Sequence, residues 1–263
     1  LSQYNLITLA PELYEISGLT DISNDQIGCI QDEMGIIYVV NINTGTIENK
    51  IEFAANGDFE GITLVGDTMF VLRSDGLLFS IGNYLNTEKK VKNIKLSIET
   101  RDNEGLGYDH KHKRILIAAK SKIQGNKDLK DERYLYEFDL RKGFNKNPVV
   151  TINNNEILNY LRKNNLSIPV KRTKSGKSRE FFRFFPSSVA VNPITENIYV
   201  LSATEQSLLI LDEKGVILKF IFLPKEIFIK PEGITFLPNG TLIISNEGNG
   251  KAPTLLKFEA KKG

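Results

Sequence analysis

One cysteine, Cys29, and two histidines, His110 and His112, are scattered through 263 residues. A single thiol forms no internal disulfide and no cysteine-based metal cluster. No apolar run approaches the ~20 residues that cross a bilayer as a helix, and the most apolar stretch, Val216 to Leu223, is strand length. Charge of one sign is missing too. The 34 Lys and Arg nearly balance the 32 Asp and Glu, leaving a net charge of +2, so no broad nucleic-acid footprint is expected. No CxxC pair, HExxH motif or phosphate-cradling glycine loop is present. The first residue is Leu1 and the methionines are Met34 and Met69, which leads to the expectation of a missing leader, removed by processing or by design.

What is present is a repeat. An acid or serine, then glycine or serine, then an aliphatic residue recurs as Ser17-Gly18-Leu19, Glu60-Gly61-Ile62, Glu104-Gly105-Leu106, Ser187-Ser188-Val189 and Glu232-Gly233-Ile234. The steps are 43, 44, 83 and 45 residues, and three of them match the length of one propeller blade. Each copy has the same internal order of short strands rich in Ile, Val, Leu and Phe, separated by Gly, Asn, Asp and Pro turns. The fourth copy is the clearest. It reads as strands over Ser188–Asn192, Asn197–Leu201, Ser207–Leu211 and Val216–Phe222.

The long step holds one blade and an insertion, not two blades. Lys113–Lys120, Arg133–Leu140 and Pro148–Ile152 supply the remaining strands of blade 3. Asn155 to Asn165 then has helical spacing, with Ile157, Leu158 and Leu161 on one face. Asn154, or another residue of the same Asn run, serves as N-cap, and Lys171 to Lys177 reads as a loop. The fold expected is all-β: one five-bladed β-propeller over residues 1–263, with a short helical insertion between blades 3 and 4 and six blades as the alternative. The fifth copy lacks its outermost strand, and the segment from Tyr4 to Ile16 is the candidate to supply it and close the ring.

In such a ring the loops entering each innermost strand share one face, the top, with the loops between second and third strands. Glu60, Glu104 and Glu232 should therefore converge at the mouth of the central channel, with Ser17 and Ser187 in the other two positions. The small residue that follows each is expected to relieve crowding at the axis. Three close carboxylates need a cation, basic groups or N–H donors to offset their repulsion. An all-oxygen donor set points to Ca²⁺ ahead of Mg²⁺, whereas Arg73 and Lys120 on the second set of top loops offer neutralisation without a metal. The same loops supply Asp32, Glu33, Glu205, Asn246 and Glu247 as candidate ligand-binding residues. Two long top-face segments, Gln124 to Glu132 and the insertion at 153–185, are expected to form a lid. The second carries a cationic cluster suited to a small anionic molecule or a protein partner. Both histidines fall in a bottom-face turn, so a serine–histidine or cysteine–histidine nucleophile is excluded at the top.

The signatures with their flanks, Ile16-Ser17-Gly18-Leu19-Thr20, Asp58-Phe59-Glu60-Gly61-Ile62-Thr63, Asn103-Glu104-Gly105-Leu106-Gly107-Tyr108, Ser187-Ser188-Val189-Ala190-Val191 and Pro231-Glu232-Gly233-Ile234, resemble the SdiA-regulated protein family. The resemblance runs from about Tyr14 to Glu247. It implies a five-bladed propeller exported to the bacterial envelope, periplasmic or membrane-anchored. It also implies calcium association, by similarity to lactonase and phytase-like propellers. The chain departs from that family at Ser187-Ser188, where a Ser-Gly pair is usual, and at Arg73 and Lys120. The function expected is a monomeric binding module acting through the top of the channel. The alternative is a calcium-dependent hydrolase of the lactonase, esterase or phytase kind, using Glu60, Glu104 or Glu232 as base.

Overall fold

The computed structural model describes residues 3–100, 102–123, 129–172 and 176–260. Strand β1 (Asn5–Thr8) and a 3-10 turn at Pro11–Leu13 lead into blade 1, which is β2 (Ile16–Asp21), β3 (Gln26–Gln31), β4 (Ile36–Asn41) and β5 (Ile47–Glu52). Blade 2 is β6 (Phe59–Val65), β7 (Thr68–Arg73), β8 (Leu77–Gly82) and β9 (Lys90–Lys95). Blade 3 follows as β10 (Asn103–Asp109), β11 (Arg114–Ala119), β12 (Glu132–Asp139) and β13 (Gly143–Asn153). Helix α1 (Asn154–Lys163) and a hairpin of β14 (Val170–Arg172) with β15 (Ser178–Glu180) separate it from blade 4. Blade 4 is β16 (Ser188–Val191), β17 (Ile198–Ser202), β18 (Ser207–Leu211) and β19 (Ile217–Phe222). Blade 5 contains β20 (Pro231–Phe236), β21 (Leu242–Asn246) and β22 (Thr254–Phe258).

Each blade is an antiparallel four-stranded sheet, and β1 pairs with β22 to complete the fifth. That contact is the expected closure, and it removes the open edge that β22 would otherwise present. The three inner strands of a blade are covered on both faces by neighbouring blades, so they read as nearly continuous apolar runs. The outermost strands are largely in water, as in Ile47–Glu52, where Ile51 is buried and Glu48, Asn49, Lys50 and Glu52 are exposed. The core is accordingly divided among the blade interfaces. Ile7, Leu13 and Ile243 meet Ile27 and Val40 between blades 5 and 1, and Leu201, Leu208 and Phe228 meet Ile234 and Ile244 between blades 4 and 5.

The residue after each signature acid is small for a reason different from the one expected. A Cβ on Gly18 would stand 2.8 Å from Ile62 N, on Gly61 2.7 Å from Leu106 N, and on Gly105 2.8 Å from Ser188 Cα. What crowds these positions is the inner strand of the next blade, not the channel axis. Blade 4 carries Ser188 instead, and its hydroxyl accepts a bond from Ile234 N across that seam at 3.3 Å.

The insertion is more structured than the sequence implies. Helix α1 spans Asn154–Lys163, and its N-cap is Asn153, whose side chain accepts from Asn155 N. Asn154 is instead buried. Its side chain donates to Asp131 O and accepts from Phe184 N. Part of the expected loop is the β14–β15 hairpin. Ile157, Leu161, Phe182 and Phe184 pack into the seam between blades 3 and 4, and the Tyr160 hydroxyl donates to Leu218 O of β19. Residues 124–128 of the other long segment lie outside the described residues.

Candidate functional site at the channel mouth

The carboxylates are aimed by β-bulges, which insert one extra residue on one strand of a pair and turn its side chain. Phe59 pairs with Arg73 and Gly61 with Leu72, leaving Glu60 without a partner across the ladder. Asn103 pairs with Ala119 and Gly105 with Ala118, which does the same for Glu104. In blades 1 and 5 the shift lies between Ile16 and Leu19 and between Pro231 and Ile234, releasing Ser17 and Glu232. In blade 4 the ladder begins at Ser188, which pairs with Leu201, and Ser187 N donates to Leu201 O at 2.8 Å, so Ser187 and Ser188 face one residue across the pair.

The three glutamates converge electrostatically. Burial raises the Glu60 carboxyl to about 8, with Glu104, Asp58 and Glu232 adding to the effect and Lys120 opposing it. Glu232 is raised to about 7 by burial and then by Glu104, with Lys230 and Lys120 opposing. Burial also pushes Glu104 up, and Lys120 only partly offsets it. Lys120 Nζ lies 2.6 Å from Glu104 Oε1. Burial lowers the Lys120 ammonium, but attraction to Glu104, Glu232 and Glu60 outweighs it, and the net shift is upward. Ser17 Oγ donates to Glu60 O at 3.1 Å and stands 3.5 Å from Glu60 Oε2.

Beside this ring is a second acidic group. Asp32 is raised to about 6 by burial and by Glu15, Glu247 and Glu33, and its Oδ1 is buried without a hydrogen-bond partner. Lys230 pairs with Glu247 and lies 3.7 Å from Glu232 Oε1, joining this group to the ring. Glu33 itself is exposed. Asn246 donates from Nδ2 to Ile227 O at 2.9 Å, while its Oδ1 is buried and unpaired.

Other candidates are committed elsewhere. Arg73 forks onto Asp75 with two bonds of 3.0 Å, so its charge is spent within its own loop. The Ser187 hydroxyl donates to Leu201 O and accepts from Ala203 N, holding the start of β16 to the end of β17. Burial raises Glu205, with Lys225 as the opposing charge. Lys230 and Glu15 were not anticipated as members of the site. Lys230 could have been, because it adjoins the Pro231-Glu232-Gly233 signature. Among the described residues, no three His, Cys, Asp or Glu side chains are disposed to hold a metal ion, and the ammonium of Lys120 is the cation seated on Glu104.

No protein-family model matches the sequence, and no curated protein matches it. Solved structures do match in fold. The chain is similar to glutaminyl cyclase from Myxococcus xanthus at 14% identity and a TM-score of 0.62, over 96% of this chain and 93% of that one. It is also similar to a luciferin-regenerating enzyme at 8% identity and a TM-score of 0.54, over 98% and 96%. At these identities the likeness is one of architecture alone. In the described residues no helix is long and apolar enough to cross a membrane.

Proposed function

We propose that this chain is a binding module whose ligand enters the top of the channel and presents a cationic group to Glu60, Glu104 and Glu232. The observation that supports this most directly is the imbalance of charge at the mouth. Lys120 is seated on Glu104, and Lys230 is engaged by Glu247 and stands 3.7 Å from Glu232 Oε1, so among the described residues Glu60 has no ion pair and Glu232 only shares a lysine with Glu247. A buried carboxylate without a partner is costly and holds its proton instead, which is the state that the raised Glu60 and Glu232 carboxyls describe. An incoming cation would relieve that cost. Lys120 shows that a primary ammonium fits among these oxygens. The anionic ligand expected from the cationic insertion receives less support, because the mouth itself carries the opposite charge. Placement at the bacterial envelope and membership of the SdiA-regulated family belong to the same proposal, and rest on the signature resemblance alone.

A hydrolase is the second reading. Carboxyls poised at about 8 and 7 lie in the range where a group both gives and takes protons near neutral pH. The two similar folds are named as enzymes, so the architecture is compatible with catalysis. Calcium is the cation this reading requires, and Lys120 would have to leave Glu104 to admit it.

Thermal stability and calorimetry with methylammonium and with Ca²⁺ separate the readings, since a ligand of the native state raises the melting temperature. Binding of methylammonium that is lost in Glu60→Gln supports the binding module. Binding of Ca²⁺ lost in the same variant supports the hydrolase and justifies assays on esters and lactones. Indifference to both cations would end the cation-binding reading.

A further inference from the structure

The opposite end of the channel holds a cavity of about 290 Å³. All five inner strands contribute to its wall, including Thr20, Thr63, Tyr108, Ala190 and Thr235. One carboxylate, Asp21, and one imidazole, His110, are its ionisable lining apart from the Tyr108 phenol. His110 packs edge-on to the Tyr108 ring, with centroids 4.4 Å apart. It also lines a second, adjoining cavity of about 250 Å³ with Lys111 and Glu196.

We propose that this bottom cavity is a second ligand site, separate from the mouth at the top, and that it takes a small organic amine with an apolar body. Asp21 is the reason for the charge. It lines a partly open, half-apolar space that no lysine or arginine lines beside it. Burial works against its ionised form, so a ligand ammonium would supply the counter-charge that the protein withholds. Val191, Pro193 and Pro238 are the reason for the apolar body, since they are the accessible aliphatic part of the wall and give it a surface that an all-polar cation would not cover. The Tyr108 ring adds a face suited to a cation. Size sets the remaining limit. The cavity is at the lower end of the volumes that hold small ligands, which restricts the occupant to about one ring or a short chain.

The probe is benzylamine, with benzyl alcohol as its neutral counterpart, titrated calorimetrically into the full chain at pH 7.5. Benzylamine should bind and benzyl alcohol should bind at least tenfold more weakly. Asp21→Asn, which keeps the shape of the side chain, should weaken benzylamine at least tenfold. Ala190→Leu, which fills the cavity from another blade, should abolish binding while thermal melting shows the fold intact. Because the mouth is itself proposed to take an ammonium, each titration is repeated in the Glu60→Gln background, where the binding component sensitive to Asp21→Asn and Ala190→Leu should persist. Equal binding of the alcohol, a benzylamine affinity insensitive to Asp21→Asn, loss of that component in the Glu60→Gln background, or no binding of either probe would each overturn the proposal.

Discussion

Lys120 Nζ sits 2.6 Å from Glu104 Oε1 because Asn103 pairs with Ala119 across β10 and β11. The residue after each partner leaves the ladder at the same height. One cross-strand pair therefore determines which glutamate receives Lys120, while Glu232 has the more distant Lys230 and Glu60 is without an ion pair among the described residues. Replacing Lys120 by Met keeps the aliphatic stem and removes the charge. The variant should lose about 2 kcal/mol at pH 7.5, because a largely buried carboxylate is left alone. The loss should shrink as the pH is lowered to 5.5, because burial favours the protonated form of the Glu104 carboxyl. Urea denaturation at the two pH values measures both effects, and an equal loss at each would mean that Lys120 contributes packing alone.

The Glu60 carboxyl titrates at about 8 in the folded protein against an ordinary value of 4.5. The native state therefore binds more protons than the unfolded chain between those values, and stability falls as pH rises through that window. Glu232 adds a fall of the same sign between 4.5 and about 7. Glu60→Gln removes the first contribution. It should resemble the parent near pH 4 and be more stable by about 2 kcal/mol at pH 9, given about 1.4 kcal/mol per tenfold change in proton affinity and partial solvation of the site. Denaturation midpoints from pH 4 to 9 test this. A parent that grows more stable across that range would contradict the assignment.

Gly61 lies where the inner strands of blades 2 and 3 meet, and an added Cβ would stand 2.7 Å from Leu106 N and 2.9 Å from Glu104 O. Both neighbours are backbone, so relief requires a shift of the strand that carries Glu104. Gly61→Ala should cost about 3 kcal/mol or more, at the upper end of overpacking effects. Gly82→Ala is the control. Its Cβ would meet Thr68 Oγ1 at 3.8 Å, an ordinary contact, and the melting temperature should hardly move.

The ring was legible because a blade is a local unit. Its four strands follow one another in sequence, and the signature recurs wherever an inner strand begins. The closure by β1 was legible for the same reason, as a strand absent from the fifth copy and available before the first. The aim of the carboxylates was harder to read. A bulge depends on how two strands align, and nothing in Phe59-Glu60-Gly61 taken alone shows that Glu60 is skipped. Charge pairing was harder still. Arg73 and Lys120 occupy equivalent loops, but Asp75 lies two residues from Arg73 and captures it, while Lys120 is left to reach Glu104. The β14–β15 hairpin gave no signal, because its exposed, basic residues lack the apolar alternation that marks a half-buried strand.

Asn154 ties the insertion to the propeller from inside. Its Nδ2 donates to Asp131 O at 2.9 Å and its Oδ1 accepts from Phe184 N at 2.6 Å, and the side chain is buried. One amide thus joins the first turn of α1 both to the segment before β12 and to the returning irregular segment that carries Phe182 and Phe184 into the seam of blades 3 and 4. Asn154→Ala leaves the Phe184 N–H buried without an acceptor, which should cost about 2 kcal/mol. Because Asn153 still caps the helix, the damage should concentrate where Phe184 returns to the ring. Hydrogen exchange should therefore accelerate across α1 and residues 178–185 while the inner strands of blades 1, 2 and 5 keep their protection. Uniform acceleration through all five blades would instead show that the insertion is part of the same cooperative unit as the ring.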